Sequence, residues 1–332
     1  CQLHYHRQRY PIPLIGITGS NGKTTTKELI AAVLAEKINV IKTEKNYNNE
    51  IGLPLSLLRI DDTTQAAVLE MGMRGRGEIA YLAGLAKPTI GVITNVGVSH
   101  IELLGSREAI AEAKAELIEA LPADGTAVLN YDDPLVARMA DAFPGESLFY
   151  SLQAVDEKKS PPPDLFVVSA QTTSHGEKVE VDGRWGKFSY DLPLLGRHNI
   201  ANSLAAALVG LELGLTPAEV SNGLKNAGPV EKRLRRFESK GITILDDTYN
   251  ASPASMKAAI DVLKQIKGSR KIAILGDMLE MGAWALEAHK EIGRYVSSSG
   301  IDYLITLGYN GKNIAEGGID GGMPEKAIYS FD

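Results

Sequence analysis

One segment, GSNGKT at residues 19–24, constrains the fold of this chain more than any other. The apolar run LIGIT precedes it, and a helical pattern from about Lys23 to Glu36 follows it. A glycine-rich turn between a strand and a helix is typical of a P-loop, because the glycines let backbone N–H groups face phosphate oxygens at the positive end of the helix. In such a loop Lys23 would contact the β- and γ-phosphates, and the Thr24 hydroxyl would bind Mg²⁺.

This segment departs from the strict GxxxxGK[ST] pattern. Ile17 occupies the first glycine position, and Gly16 lies one residue early. A glycine-rich αβ turn without a ligand is the alternative interpretation. The intact GKT triplet in a strand–helix context favours the phosphate loop.

Strand-like and helical patterns alternate along the chain. Apolar runs at Ala66–Met71, Thr89–Val96 and Thr126–Asn130 are separated by helical patterns. This alternation predicts an α/β fold with a mostly parallel sheet. From Asp164 to Leu192 polar and apolar residues alternate between glycine turns, which predicts an antiparallel extension. A helix is expected at Asn199–Leu213.

A second α/β unit is expected after the stretch GPVEKRLRR at 228–236, which has the composition of a linker. Strands are predicted at Ile242–Asp246, Lys271–Leu275 and Tyr303–Leu307. A helix is expected from Pro253, with Ser252 as its N-cap, and another near Ala285–Ser298.

Composition excludes several classes of protein. The 332 residues carry 35 Lys and Arg against 41 Asp and Glu, and this net charge of −6 argues against general nucleic-acid binding. No apolar stretch approaches the roughly 20 residues of a membrane-spanning helix. One cysteine excludes a disulfide framework, and the six histidines offer no pair with zinc-ligand spacing. Because Cys1 stands where Met is expected, we expect a trimmed chain rather than a processed lipoprotein.

Two further residues could bind Mg²⁺ beside the phosphate loop. Glu70 ends one apolar run and His100 follows another, so both are expected at the carboxyl ends of parallel strands. Open α/β sheets bind their ligands at that edge. A carboxylate and an imidazole there could complete a Mg²⁺ shell, although each alone could equally be a surface residue.

Lys114 stands in an apolar stripe of its predicted helix. Its neighbours three and four residues away are Ile110, Ala111, Leu117 and Ile118, whereas Glu108, Glu112, Glu116 and Glu119 lie on the opposite face. A buried charged lysine is costly. Either its amine reaches water while the stem packs, or the amine is neutralised, modified or paired with phosphate in a cleft.

Eight segments together resemble the Mur ligase family. They are TGSNGKTTTKE (18–28), NYNNEIGLP (46–54), LEMGMRGRGEI (69–79), ITNVGVSHIELLGS (93–106), AKAEL (113–117), GRHNIANSLAA (196–206), DDTYNASPASM (246–256) and GDMLEMG (276–282). They follow the family's order over nearly the whole chain.

The resemblance implies a division into domains. Residues 1–13 would be the tail of an N-terminal UDP-sugar-binding domain, and 14–228 the central ATP-binding domain. A linker at 229–237 would lead to a Rossmann-like C-terminal domain at 238–332. We expect that domain to be incomplete, because the sequence stops before the family's later K-G-S segment.

The resemblance also implies roles for individual residues. ATP would contact Gly19, Ser20, Asn21, Gly22, Lys23, Thr24, Thr25, Asn199, Asn202, Arg233 and Asp247, with Asn199 and Asn202 bordering the adenine. Two magnesium ions would be held by Thr24, Glu70, His100 and Lys114, the last as a carbamate. Lys23, Lys114 and His100 would support catalysis. Asn48 and Asn49 would line the substrate cleft, although their composition is equally typical of a turn.

The implied activity is ATP-dependent amide formation between UDP-N-acetylmuramoyl-tripeptide and D-alanyl-D-alanine, in cytoplasmic peptidoglycan precursor synthesis. We expect a monomer without nucleic-acid or membrane partners. One alternative is a sister Mur ligase or a folylpolyglutamate synthase-like enzyme that adds a single amino acid, against which the DDTYNASP segment argues. Another is a P-loop switch or a non-catalytic nucleotide-binding fragment. A GTPase would require an N-K-x-D base-recognition motif, and the sequence contains none.

Overall fold

The structure, a computed structural model, describes residues 2–154 and 162–332. Its strands are β1 Leu14–Thr18, β2 Val40–Lys42, β3 Ala66–Glu70, β4 Ile90–Ile93, β5 Thr126–Asn130, β6 Glu146–Ser151, β7 Leu165–Thr172, β8 Glu177–Gly183, β9 Phe188–Leu192, β10 Arg235–Ser239, β11 Ile242–Asp246, β12 Ile272–Leu275, β13 Tyr303–Leu307 and β14 Ile328–Phe331.

The helices alternate with these strands. They are α1 Gln2–Arg9, α2 Lys23–Leu34, α3 Gly52–Leu57, α4 Glu78–Ala86, α5 Ile101–Leu104, α6 Arg107–Glu119, α7 Pro134–Ala137, α8 Arg197–Glu212, α9 Pro217–Lys225, α10 Pro253–Gln265, α11 Ala285–Ser297 and α12 Gly311–Asp320. Short 3₁₀ turns occupy Arg138–Ala142, Gly282–Trp284 and Glu325–Ala327. Among the described residues, no helix combines the length and the apolar character needed to cross a membrane.

The chain divides into two units. The first comprises Cys1–Gly97 and Arg107–Pro229, and the second comprises Val98–Ser106 and Val230–Asp332. The second unit therefore includes the short segment that follows β4 and contains α5. The predicted linker at 229–237 overlaps β10, which begins at Arg235.

The first unit contains a nine-stranded sheet in the order β2-β3-β1-β4-β5-β6-β7-β8-β9. Pairing is parallel from β2 to β7 and antiparallel from β7 to β9. All five residues of β1 and of β3 are buried, as expected for central strands covered on both faces. The predicted α/β class, with a mostly parallel sheet and an antiparallel extension, is confirmed.

The main core lies where α2 and α8 cover this sheet. Ile30 and Val33 of α2, together with Leu204 and Leu208 of α8, are fully buried in one apolar cluster. Because these two helices begin at the same edge of the sheet, their packing fixes where their first turns lie. The sequence predicted both helices from their apolar spacing but did not predict β2 or β6.

The second unit is smaller. Its β12, β13 and β14 form a parallel sheet, and β10 pairs with β11 in a separate antiparallel hairpin. Helix α10 begins at Pro253 behind a capping box in which Ser252 and Ser255 exchange hydrogen bonds. The predicted cap and the three predicted strands are thus present.

Candidate active site

The loop that follows β1 has the form of a phosphate-binding loop. Gly22 has φ 84° and stands at the N-cap of α2. A Cβ at Gly22 would lie 2.5 Å from Oδ1 of Asn202, and one at Gly19 would lie 1.9 Å from Oγ1 of Thr94. Only glycine fits these two positions, so the predicted glycine requirement has a steric cause.

The loop is held from the end of β4. The Ser20 N–H donates to the Asn95 carbonyl at 2.9 Å, and the Asn21 N–H donates to Oδ1 of Asn95 at 3.0 Å. The Thr94 hydroxyl donates to the Asn21 carbonyl at 2.6 Å. Thr94 and Asn95 are therefore structural parts of the loop, and the sequence interpretation missed them. Thr94 and Asn95 are polar residues near the end of the predicted run Thr89–Val96, and that polarity could have indicated them.

Lys23 folds over the loop that precedes it. Its Nζ donates to the carbonyl of Gly19 at 2.7 Å. Thr25, the residue that follows Thr24 in the first turn of α2, is buried. A cation above a glycine loop at a helix N-terminus is suited to bind an anionic phosphate.

Thr24 and Glu70 meet at the same edge of the sheet. The Thr24 hydroxyl donates to Oε2 of Glu70 at 2.9 Å, and Nδ2 of Asn48 donates to Oε1 of the same carboxylate at 2.9 Å. Glu70 is 3% exposed. Three residues that the sequence assigned to metal or substrate binding are thus joined by direct hydrogen bonds.

These side chains fit a magnesium ion in the chemistry of their donor atoms. Mg²⁺ prefers oxygen ligands and is usually bound by one or two protein groups together with water and phosphate oxygens. The Thr24 hydroxyl and the Glu70 carboxylate supply such oxygens beside the phosphate loop. The described residues contain no group of three or more His, Cys, Asp or Glu arranged to hold a metal ion.

Lys114 is buried in α6. Its side chain is 1% exposed, so the alternative in which the amine reaches water is wrong. Burial lowers the pKa of the Lys114 amine well below its usual value, and the charge of Lys23 lowers this pKa further. Lys114 is therefore close enough to Lys23 for the two charges to interact, and its role in catalysis or metal binding stays a prediction.

Asn199 and Asn202 lie on the buried face of α8. The Thr26 hydroxyl donates to Oδ1 of Asn202 at 3.2 Å, and Nδ2 of Asn202 donates to Oδ1 of Asn199 at 3.2 Å. Nδ2 of Asn199 donates to the Leu195 carbonyl at 2.9 Å. Asn202 therefore connects α8 to the second turn of α2, and Asn199 supports Asn202 from within α8. Their contact with adenine stays a prediction.

Asn49 has a local role that differs from that of Asn48. Its Oδ1 accepts hydrogen bonds from the N–H groups of Ile51 at 3.2 Å and Gly52 at 2.9 Å, and the residue is exposed. These two hydrogen bonds form a turn, which is the alternative to substrate contact that the composition of this segment left open. Substrate contact by either asparagine stays a prediction.

The remaining predicted residues belong to the second unit. His100 has φ 66° and its Nδ1 lies 2.6 Å from Oε2 of Glu280. Its predicted role as a metal ligand therefore stays a prediction.

Arg233 and Asp247 form a local group in the same unit. The guanidinium of Arg233 lies 3.9 Å from the centre of the Tyr249 ring, and Oδ1 of Asp247 accepts from the Leu234 N–H at 3.0 Å. Burial raises the pKa of the Asp247 carboxyl. Neither observation tests whether these two residues contact a nucleotide.

Two models of known protein families match this chain, one in its N-terminal part and one in its C-terminal part. The Mur ligase middle domain matches residues 17–210, and the Mur ligase glutamate ligase domain matches residues 232–329. A UDP-N-acetylmuramoyl-tripeptide–D-alanyl-D-alanine ligase of Synechocystis sp. is 45% identical over 303 residues. The match covers 91% of this chain and 63% of that relative, so the chain spans less than two thirds of the relative's length.

Solved structures agree with this match. MurF from Acinetobacter baumannii superimposes with a TM-score of 0.90 at 28% identity, covering 99% of this chain and 69% of that one. MurF ligase from Thermotoga maritima, solved in complex with ADP, gives a TM-score of 0.86 at 29% identity, covering 99% of this chain and 73% of that one. None of these comparisons supports the carbamate expected at Lys114.

Proposed function

The chain belongs to the Mur ligase family, and on that premise we propose that it is the ATP-binding and ligase part of a UDP-N-acetylmuramoyl-tripeptide–D-alanyl-D-alanine ligase. The observation that carries the proposal is the group formed by Lys23, Thr24, Glu70 and Asn48 around the phosphate loop. The proposed reaction belongs to peptidoglycan precursor synthesis in the cytoplasm.

The domain assignment is part of this proposal. Residues 14–228 would bind ATP, residues 229–237 would link the two domains, and residues 238–332 would act with the second substrate. The ADP complex of the Thermotoga maritima ligase supports the use of an adenine nucleotide by this chain.

The proposed chemistry joins a carboxylate to an amine. A carboxylate is a poor electrophile, so one of its oxygens attacks the γ-phosphorus of ATP, the bond from that phosphorus to the β,γ-bridging oxygen breaks, and ADP leaves. The amine of D-alanyl-D-alanine then attacks the acyl phosphate carbon and loses a proton. Inorganic phosphate leaves as the amide forms.

The residues of the chain would act mainly through charge and position. Lys23 would neutralise negative charge on the phosphoryl group as it transfers, which is the dominant kind of stabilisation in such sites. Thr24 and Glu70 would hold Mg²⁺, which when bound supplies positive charge to the phosphate oxygens. Asn48 would keep the Glu70 carboxylate in the orientation that its hydrogen bond defines.

Lys114 has a place in the proposal as an amine beside Lys23. Burial and the charge of Lys23 lower its pKa, and a phosphate bound nearby would favour the charged form of this amine. The proposal does not need the carbamate.

Phosphate release tests the reaction and the substrate together. The chain is incubated with Mg·ATP and UDP-N-acetylmuramoyl-tripeptide, and release is compared between D-alanyl-D-alanine and single amino acids. Release that depends on the dipeptide supports the proposal, whereas release that depends on a single amino acid identifies a sister ligase. Failure of the chain to bind Mg·ADP in calorimetry contradicts the nucleotide site itself.

A further inference from the structure

A second lysine of α2 is buried one helical turn beyond Lys23. The side chain of Lys27 is 1% exposed, and its Nζ donates to the Thr43 carbonyl at 2.7 Å. The same Nζ lies 3.1 Å from Oε1 of Glu28. A buried cation is costly unless it is paired and hydrogen-bonded, and these two partners supply both kinds of contact.

Thr43 connects this lysine to the strand that carries Glu70. Thr43 is fully buried, and its N–H donates to the Val68 carbonyl at 3.0 Å. Its hydroxyl oxygen accepts from the N–H of Glu70 at 3.0 Å. Thr43 therefore holds the backbone of Glu70 directly, and it also begins the loop that carries Asn48.

Helix α2 thus reaches Glu70 at two points. Thr24 and Lys27 are three residues apart and lie on the same face of the helix. Thr24 contacts the carboxylate of Glu70, and Lys27 reaches the backbone of Glu70 through Thr43. The two contacts together set the position and the orientation of one carboxylate.

We propose that Lys27 is a positioning residue, whose buried cation holds Thr43 so that Glu70 and Asn48 face Thr24 in the arrangement that binds a magnesium nucleotide. This inference rests on the proposed function. A lysine suits this positioning role because its long side chain reaches from α2 to the carbonyl of Thr43. The carboxylate of Glu28 compensates its positive charge.

Isothermal titration with ADP separates a positioning role from a general structural one. Affinity is measured with Mg²⁺ and with a chelator, and the ratio of the two affinities reports the contribution of the metal. We expect Lys27→Met to lower this ratio about tenfold, the size of a lost charge-assisted hydrogen bond, and to leave the affinity for metal-free ADP within about twofold of the wild type.

Lys42→Met is the matched control. Lys42 pairs with the same Glu28 but its side chain is 42% exposed, and its ion pair is of the kind that contributes little. We expect its metal-dependent ratio to equal that of the wild type. Equal ratios for the wild type and a folded Lys27→Met protein would overturn the inference.

Thr43→Val provides a second variant if Lys27→Met does not fold. Valine keeps the shape and the main-chain carbonyl but removes the hydroxyl that accepts from Glu70. We expect Thr43→Val to lower the ratio of ADP affinities with and without Mg²⁺ as Lys27→Met does. An unchanged ratio would contradict the inference that Lys27 acts on Glu70 through Thr43. If the wild type does not bind ADP under either condition, the proposed function is wrong and this inference falls with it.

Discussion

The hydroxyl of Thr24 donates a 2.9 Å hydrogen bond to Oε2 of Glu70, which joins the first turn of α2 to the last residue of β3. These residues are separated by 46 positions in the chain. The parallel pairing of β1 with β3 brings them together, because both strands end at the same edge of the sheet. This pair joins the phosphate loop to the carboxylate of the proposed magnesium site.

Removing the carboxylate charge should abolish the metal dependence of nucleotide binding. We expect Glu70→Gln to bind ADP equally well with and without Mg²⁺, because an amide oxygen is a much weaker ligand for a hard cation than a carboxylate. Calorimetry under both conditions measures this. Glu44→Gln is the control, since Glu44 pairs with Arg59 at the surface and should keep the wild-type dependence.

Removing the P-loop cation should weaken nucleotide binding itself. We expect Lys23→Ala to lower the affinity for Mg·ATP by about tenfold to 100-fold, the range for a hydrogen bond to a charged group. Titration calorimetry with a non-hydrolysable ATP analogue checks the value. Lys37→Ala removes a lysine that is about half exposed and pairs with Glu219, so its affinity should not change. Equal affinities for all three proteins would contradict the assigned role of Lys23.

A methyl group at Gly22 should damage the site more than it damages the fold. Gly22→Ala introduces strain at φ 84° and also places a Cβ 2.5 Å from Oδ1 of Asn202. Gly186→Ala introduces comparable strain at φ 77° with no heavy atom within 4 Å of the added Cβ. We expect Gly186→Ala to lose about 1 kcal/mol in urea unfolding, and Gly22→Ala to lose at least as much because of the added contact with Asn202. Only Gly22→Ala should lose nucleotide affinity, by about tenfold, and similar losses in both variants would argue against the loop assignment.

The stability of the fold should rise with pH because of Lys114. The pKa of this amine is lowered in the folded state, whereas the unfolded chain titrates near the ordinary value of about 10.4. Between the folded and the unfolded pKa of Lys114 the unfolded state binds more protons than the folded state. The free energy of unfolding therefore increases with pH, by at most about 1.4 kcal/mol per pH unit for this one group.

Replacement of Lys114 by an apolar residue should remove that dependence. We expect Lys114→Met to be more stable than the wild type at pH 7, by about 1 kcal/mol or more, with a difference that shrinks as the pH approaches 10. Urea unfolding at several pH values measures the difference. Lys225→Met, at an exposed position of α9, should follow the wild type throughout. A Lys114→Met protein that is less stable at pH 7 would show that the amine is paired rather than stranded.

The phosphate loop could be predicted from the sequence because its signals are local. The run Leu14–Thr18, the glycines and the helical pattern after Lys23 lie within about 20 consecutive residues, and the structure has the strand and the start of the helix at those positions. The same is true of the helix cap at Ser252, whose partner Ser255 lies only three positions further along the chain. Local propensity and periodicity determine such elements before any packing occurs.

Contacts between distant residues were decided only by the tertiary structure. The periodicity of α6 placed Lys114 in an apolar stripe but did not distinguish burial from exposure of its amine, because that depends on what covers the helix. Asn202 bonds to Thr26 from 176 positions away, and Lys27 bonds to the carbonyl of Thr43, which directly follows a strand that the sequence did not predict. A residue pattern specifies which side of an element is apolar, whereas the packing of α2, α8 and the sheet decides which polar groups meet there.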